Sequence, residues 1–486
     1  MKKLCFTIMV VAALSICCYA GEKTVYSEKY RPQYHFTPAH RWIGDPCGLV
    51  KNGGKYFAYS WGAASSDDLV HWTEINDHAI KDLPARTSAF TGSVAVDKNN
   101  TSGYGNGAMI AAFTSFDEDS KKQSQSIAFS HDGGRTYQYY AGNPVIDIWS
   151  TEFRDPTVIW DDNTGRWVML VAKALEKKVA FYGSDDLKHW EWLSDFGPLG
   201  DSEKSWECPD MFRMGVDGEP GVRKWVMVVS VNWQREQYFV GEFDGKNFKA
   251  DNPDKYPLYV DEGLDYYASR VFQDYDDKDA PVYTIGWVNT WDYANNAPTQ
   301  YGKGIWSIPR EYILVNTEDG YRLRQEPFDG LRVLRGKPYS TKRCLKSGVE
   351  TFPYIKDMGN TYELEVVLSG MKTPVGLNLC EGEGRRVTLT YDPDSHYLVL
   401  DRTNCADTMI PKFERMSYCK VNPVDGRLKL NCFVDKSTLE VFVNDGECTL
   451  TALTFPSEGQ AGFSLTSLGR GAVAEITAWP LHSIWH

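Results

Sequence analysis

The chain has 486 residues, including 16 tryptophans and 28 tyrosines. That aromatic content can fill a large core and excludes a disordered chain. The formal net charge of −13 repels polyanions, which argues against nucleic acid and anionic membrane surfaces as partners and is compatible with neutral carbohydrate. The length suits two or three domains, or one large β-domain with a smaller one.

Residues 1–20 read as a signal peptide. Lys2 and Lys3 form a basic start, Leu4 to Ile16 is mostly apolar, and Cys18-Tyr19-Ala20 resembles a small-residue cleavage site. The apolar stretch is too short to span a bilayer, and no other segment is long and apolar enough. An exported protein, periplasmic or extracellular, is expected. Leu14-Ser15-Ile16-Cys17 loosely resembles a lipoprotein box, which would make a surface lipoprotein anchored at Cys17. Ile16 is bulky where a small residue is usual, which favours simple cleavage after Ala20.

Helical periodicity is almost absent from the rest of the chain. Short apolar runs such as Trp167-Val168-Met169-Leu170-Val171 recur between turn residues, which predicts an all-β protein. Ser66-Asp67-Asp68-Leu69-Val70-His71-Trp72 returns as Ser184-Asp185-Asp186-Leu187-Lys188-His189-Trp190. Looser copies begin at Ser130 and Phe243. Each reads as a hairpin turn followed by an inward aromatic. A spacing of roughly 55–65 residues suits one four-stranded propeller blade, so residues 30–330 are expected to hold about five blades.

From about residue 345 the texture changes. Tyr362 to Leu368, Arg386 to Thr390 and Thr438 to Val443 alternate strictly, and Asn444-Asp445-Gly446 supplies a hairpin turn. One wet and one buried face predicts a β-sandwich over residues 345–486. Six of the eleven cysteines lie between Cys344 and Cys448. Export would permit disulfides there, and small buried hydrophobes are the equal alternative. No C-x-x-C pair or H-E-x-x-H cluster is present, so no metal and no cofactor are expected.

Three carboxylates have unusual settings: Asp45 in Gly44-Asp45-Pro46, Asp155 in Arg154-Asp155-Pro156, and Glu207 in Glu207-Cys208-Pro209. A proline cannot extend a central ladder, which places each acid at a strand end, where a propeller channel opens. Retaining glycosidases need two carboxyl groups across the scissile bond. Turn-capping aspartates would produce the same acid-proline pattern.

Several segments together resemble glycoside hydrolase family 32, the invertase, inulinase and levanase family. Tyr34-His35-Phe36-Thr37-Pro38 and Trp42-Ile43-Gly44-Asp45-Pro46-Cys47-Gly48 resemble its opening, usually W-M-N-D-P-N-G. Thr91-Gly92-Ser93 resembles its S-G-S stretch, Arg154-Asp155-Pro156 its R-D-P motif and Glu207-Cys208 its E-C motif. The resemblance implies a five-bladed β-propeller followed by a C-terminal β-sandwich. It also implies a retaining β-fructofuranosidase acting on fructans such as levan or inulin and on related fructosides. By the same resemblance Asp45 is the nucleophile, Glu207 the acid/base and Asp155 the transition-state stabiliser, which holds fructosyl hydroxyls together with the substrate-binding Arg154. Ser93 and the aromatics Trp42, Trp61 and Trp287 are the expected substrate-binding residues. A fructosyltransferase using the same covalent intermediate is the close alternative, and a non-catalytic fructan-binding protein the remote one.

Two departures bear on the substrate. Gly44 and Cys47 replace the asparagines that usually flank the nucleophile. The usual Q-Y-N-P segment is missing, because Tyr59-Ser60-Trp61-Gly62 runs straight into the first repeat. A wider, less polar mouth is expected, favouring a polymer over sucrose. Linkage preference, endo or exo action and oligomeric state stay open.

Overall fold

The two matching heptads build the same turn. In the first, Asp68 Oδ1 accepts the backbone N–H groups of Val70 and His71 at 2.9 and 2.8 Å, and Asp68 Oδ2 lies 2.7 Å from His71 Nδ1. Asp186 does the same for Lys188 and His189. Leu69 and Leu187 take positive φ values of 63° and 64° and are buried. Trp72 and Trp190 each donate their indole N–H to that leucine's carbonyl at 3.0 Å. Sequence repetition here is repetition of one hydrogen-bonded hairpin that links the two outer strands of a blade.

The computed structural model describes residues 26–406 and 409–485. The signal segment 1–20 and Cys17 lie outside them. The protein is nearly all β, and five antiparallel four-stranded units follow one another in the chain. Their innermost elements are the Asp45–Val50 stretch and the strands Thr87–Asp97, Phe153–Asp161, Trp206–Asp217 and Tyr267–Val271. The ring closes where Val50 and Lys51 pair in parallel with Gln273 and Asp274. Five apolar clusters fill the wedges between neighbouring units. Val94, Met109 and Tyr137 pack with Tyr59 between the first two, and Phe272 and Ile285 pack with Ile43 and Leu49 at the closure. This is a five-bladed β-propeller.

Two six-stranded antiparallel sheets follow. Strand Tyr362–Ser369 places Leu364, Val366 and Leu368 in the shared core and alternates them with Glu365 and Val367. These sheets form the β-sandwich that strict alternation predicts. All eight cysteines among the described residues are free, and six of them are buried. The Cys419 and Cys448 thiols face each other.

Propeller and sandwich are joined by buried charges. Arg310 of the propeller bonds Asp261 at 2.9 Å and Glu440 of the sandwich. Arg402 of the sandwich reaches back to Asp265. His35, from the segment entering the first blade, lies 2.9 Å from both Asp435 and Glu440. Burial opposes charge on this imidazole, but its bonds to the two carboxylates prevail and push its pKa up to about 9. Among the described residues no helix is long and apolar enough to cross a membrane.

Candidate active site

Four of the five inner elements carry a register break near the same end. The ladder shifts between Ala89 and Gly92, Arg154 and Thr157, Glu207 and Asp210, and Tyr267 and Arg270. At the last three, Asp155, Cys208 and Ala268 take positive φ values of 63°, 47° and 52°. A bulge leaves a residue unpaired and re-aims its neighbours. Prolines 156 and 209 fit these positions because a bulge spares their missing N–H. The acid-proline patterns at Asp155 and Glu207 are therefore bulges that turn carboxylates into the channel mouth, whereas Asp45 precedes the first strand of its blade.

There the three acids meet. Thr91 donates its hydroxyl to Asp45 Oδ2 at 2.8 Å. The Cys208 thiol lies 3.6 Å from Asp45 Oδ2 and 3.6 Å from Asp155 Oδ2, and its backbone N–H donates to that same Asp155 oxygen at 3.0 Å. Asp45 Oδ1 is buried and takes no hydrogen bond from the described residues. Arg154 donates Nε and Nη2 to Glu207 Oε1 at 3.0 and 2.8 Å, while its Nη1 reaches Glu152 and Gln123. The Tyr267 hydroxyl donates to Glu207 Oε2.

Electrostatics follow from this crowding. Burial and the charge of Asp155 push the Asp45 carboxyl up to about 7, against the Thr91 bond. Burial also raises Glu207, against the Arg154 guanidinium and with the help of Asp155. Three carboxylates in one pocket cannot all ionise cheaply, and this crowding favours the protonated forms of Asp45 and Glu207. Arg270 lies in the channel with its Nε and Nη2 buried and unpaired among the described residues, and its charge lowers Asp45. Among those residues no group of His, Cys, Asp and Glu is arranged to hold a metal.

The expected binding residues separate. Trp42 is 36% exposed and stacks on Trp291, which is 43% exposed, at 6.1 Å. Trp287 is fully buried beneath Trp291, 4.9 Å away, so its face is not open as a platform. Trp61 is half-buried, and its indole N–H is committed to the Phe90 carbonyl at 2.6 Å. The Ser93 hydroxyl accepts the Val158 N–H at 3.0 Å and ties two inner strands together. Gly44 does not simply widen the mouth. A Cβ there would stand 3.0 Å from the Trp42 indole nitrogen, so that ring takes up the space. Thr91 enters the sequence reading only within the Thr91-Gly92-Ser93 stretch, with no role of its own, and Tyr267 and Arg270 escape it altogether, because no local motif marks them.

The "Glycosyl hydrolases family 32 N-terminal domain" matches residues 35–327, and "Glycosyl hydrolases family 32 C terminal" matches residues 331–480. A levanase of Bacillus subtilis (strain 168) is 36% identical, over 99% of this chain and 74% of its own length. A levanbiose-producing levanase of the same organism is 35% identical, over 92% of this chain and 90% of its own. The crystal structure of exo-inulinase from Aspergillus awamori superposes with a TM-score of 0.86 at 31% identity, covering 95% of this chain and all of that one. The chain thus belongs to glycoside hydrolase family 32.

Proposed function

We propose that the protein is an exported, retaining β-fructofuranosidase that hydrolyses fructans of the levan or inulin type. The observation that carries the reading is the unequal dressing of the acids at the channel mouth. Asp45 keeps one oxygen free, whereas both oxygens of Glu207 are held in place. The first suits a nucleophile and the second an oriented acid/base. The levanase and exo-inulinase names of the relatives support hydrolysis of fructans over transfer to a sugar.

In this mechanism Asp45 Oδ1 attacks the anomeric carbon of the fructosyl unit. The bond to the leaving oxygen breaks, and Glu207 gives that oxygen its proton. A covalent fructosyl ester on Asp45 results. Glu207, now a carboxylate, takes a proton from water as that water attacks the same carbon and frees Asp45. Asp155 accepts hydrogen bonds from fructosyl hydroxyls. These become better donors as the ring gains oxocarbenium character, so the bonds strengthen in the transition state. The Cys208 N–H fixes the Asp155 carboxylate for that role.

The test is product analysis on levan, inulin and sucrose by the purified protein, alongside Asp45→Asn. Fructose or fructo-oligosaccharide release that Asp45→Asn abolishes is expected. Binding of fructan with no bond cleavage would defeat the reading.

A further inference from the structure

Trp149 is the most exposed tryptophan among the described residues, with 83% of its surface accessible. Single exposed apolar side chains are common on protein surfaces, so it is the way this indole is presented that marks the position. It stands on a bulge. Ile146 and Ser150 pair with Gln125 and Gln123, so Asp147, Ile148 and Trp149 are pushed outward opposite one residue of the neighbouring strand.

The side chain is presented, not loose. Its backbone takes a φ of 58°, a conformation that a bulky residue adopts only when its surroundings hold it there. Trp149 N–H donates to Asp147 Oδ1 at 2.8 Å. Lys122 bonds Asp147 at 2.7 Å and lies 4.3 Å over the indole ring. The ammonium covers one face of the ring, and the other faces solvent.

Short links tie this bulge to the acid. Ser150, next to Trp149, pairs with Gln123. Gln123 Oε1 accepts Arg154 Nη1 at 3.2 Å, and Arg154 holds Glu207. Through Ser150, Gln123 and Arg154, Trp149 is thus linked to the group that protonates the leaving oxygen, on whose side the leaving sugar chain departs. Trp42 and Trp291 lie on the Asp45 side instead. Trp192, though 60% exposed, lies on the outermost strand of its blade, with its indole N–H on Asp195.

We propose that Trp149 is a leaving-side subsite whose open face stacks on a sugar ring of the β-fructoside chain beyond the scissile bond. The inference rests on the glycosidase reading of Glu207 given above. Sugar rings carry apolar C–H faces that fit a flat indole, and the platform adds binding only where the leaving group extends past its first ring.

The experiment compares kcat/KM on a fructan pentasaccharide and on sucrose for the wild type, Trp149→Ala, Trp149→Phe and Trp192→Ala. Trp149→Ala is expected to lower the pentasaccharide-to-sucrose ratio about tenfold, with Trp149→Phe keeping most of it and Trp192→Ala all of it. An active wild type whose ratio is unchanged in Trp149→Ala, or falls equally in Trp192→Ala, overturns the subsite and leaves the function standing. A wild type that cleaves no fructoside overturns the function and the subsite with it.

Discussion

Thr91 donates its hydroxyl to one oxygen of Asp45 at 2.8 Å and leaves the other without a protein partner. A hydrogen bond to the charged form favours that form, so this contact restrains a carboxyl that burial drives upward. Thr91→Val keeps the shape and removes the donor. The acid limb of kcat/KM against pH should then move to higher pH, with kcat/KM at pH 6 down by about ten- to a hundredfold. An unmoved acid limb would remove Asp45 as the group that must ionise.

Asp45→Asn and Glu207→Gln should each lower turnover by several orders of magnitude while the fold persists. Glu207→Gln should lose far less on an aryl fructoside, whose leaving group needs little protonation. Equal losses on both substrates would count against Glu207 as the acid.

Asp45 also affects stability. Its folded-state pKa, about 7, stands above the ordinary 3.8. Folding therefore favours its protonated form, and the stability linked to that proton is present below 3.8 and lost as pH rises through about 7. Asp45→Asn should raise Tm at pH 7.5, by a stabilisation on the order of a few kcal/mol at most, and give no gain at pH 4. Equal Tm values at both pH values would contradict the shift.

The sequence shows the hairpins and the acids, because both are local. One Asx-type turn repeats within seven residues, and a proline marks the two bulges that carry Asp155 and Glu207. What holds the acids is not local. Thr91 and Asp45 are 46 residues apart, and Tyr267 and Glu207 are 60 apart. The side-by-side packing of successive blades brings them together. Trp287 shows the opposite case. Gly304 lets the chain run so close to its indole that a Cβ there would stand 2.8 Å from Nε1. Burial of one aromatic and exposure of the next are decided by such a contact.

Arg270 is the cation below the carboxylates, and its charge lowers both Asp45 and the buried Asp210. Arg270→Met should move the acid limb of kcat/KM to higher pH, and Arg270→Lys should restore most of it. A purely structural role would lower Tm in both variants and leave the limb where it was.

The last prediction concerns the junction of propeller and sandwich. His35 lies between Asp435 and Glu440, and Arg310 bonds Glu440 from the other side. The imidazole pKa rises from 6.5 to about 9 despite burial, because both ring nitrogens bond carboxylates. A raised folded-state pKa on a histidine gives stability that is fully present below about 6.5 and lost as pH climbs through about 9. Replacing the cation leaves the buried carboxylates Asp435, Glu440 and Asp261 with the one guanidinium of Arg310, and breaking such a buried pair typically costs about 3–5 kcal/mol. His35→Gln should therefore lower Tm strongly at pH 6. The gap to the wild type should narrow between pH 8 and 10, as the wild type loses its own proton. Melting curves of both proteins from pH 6 to 10 decide it. A constant gap across that range would mean that His35 is neutral at the junction and contributes by shape alone.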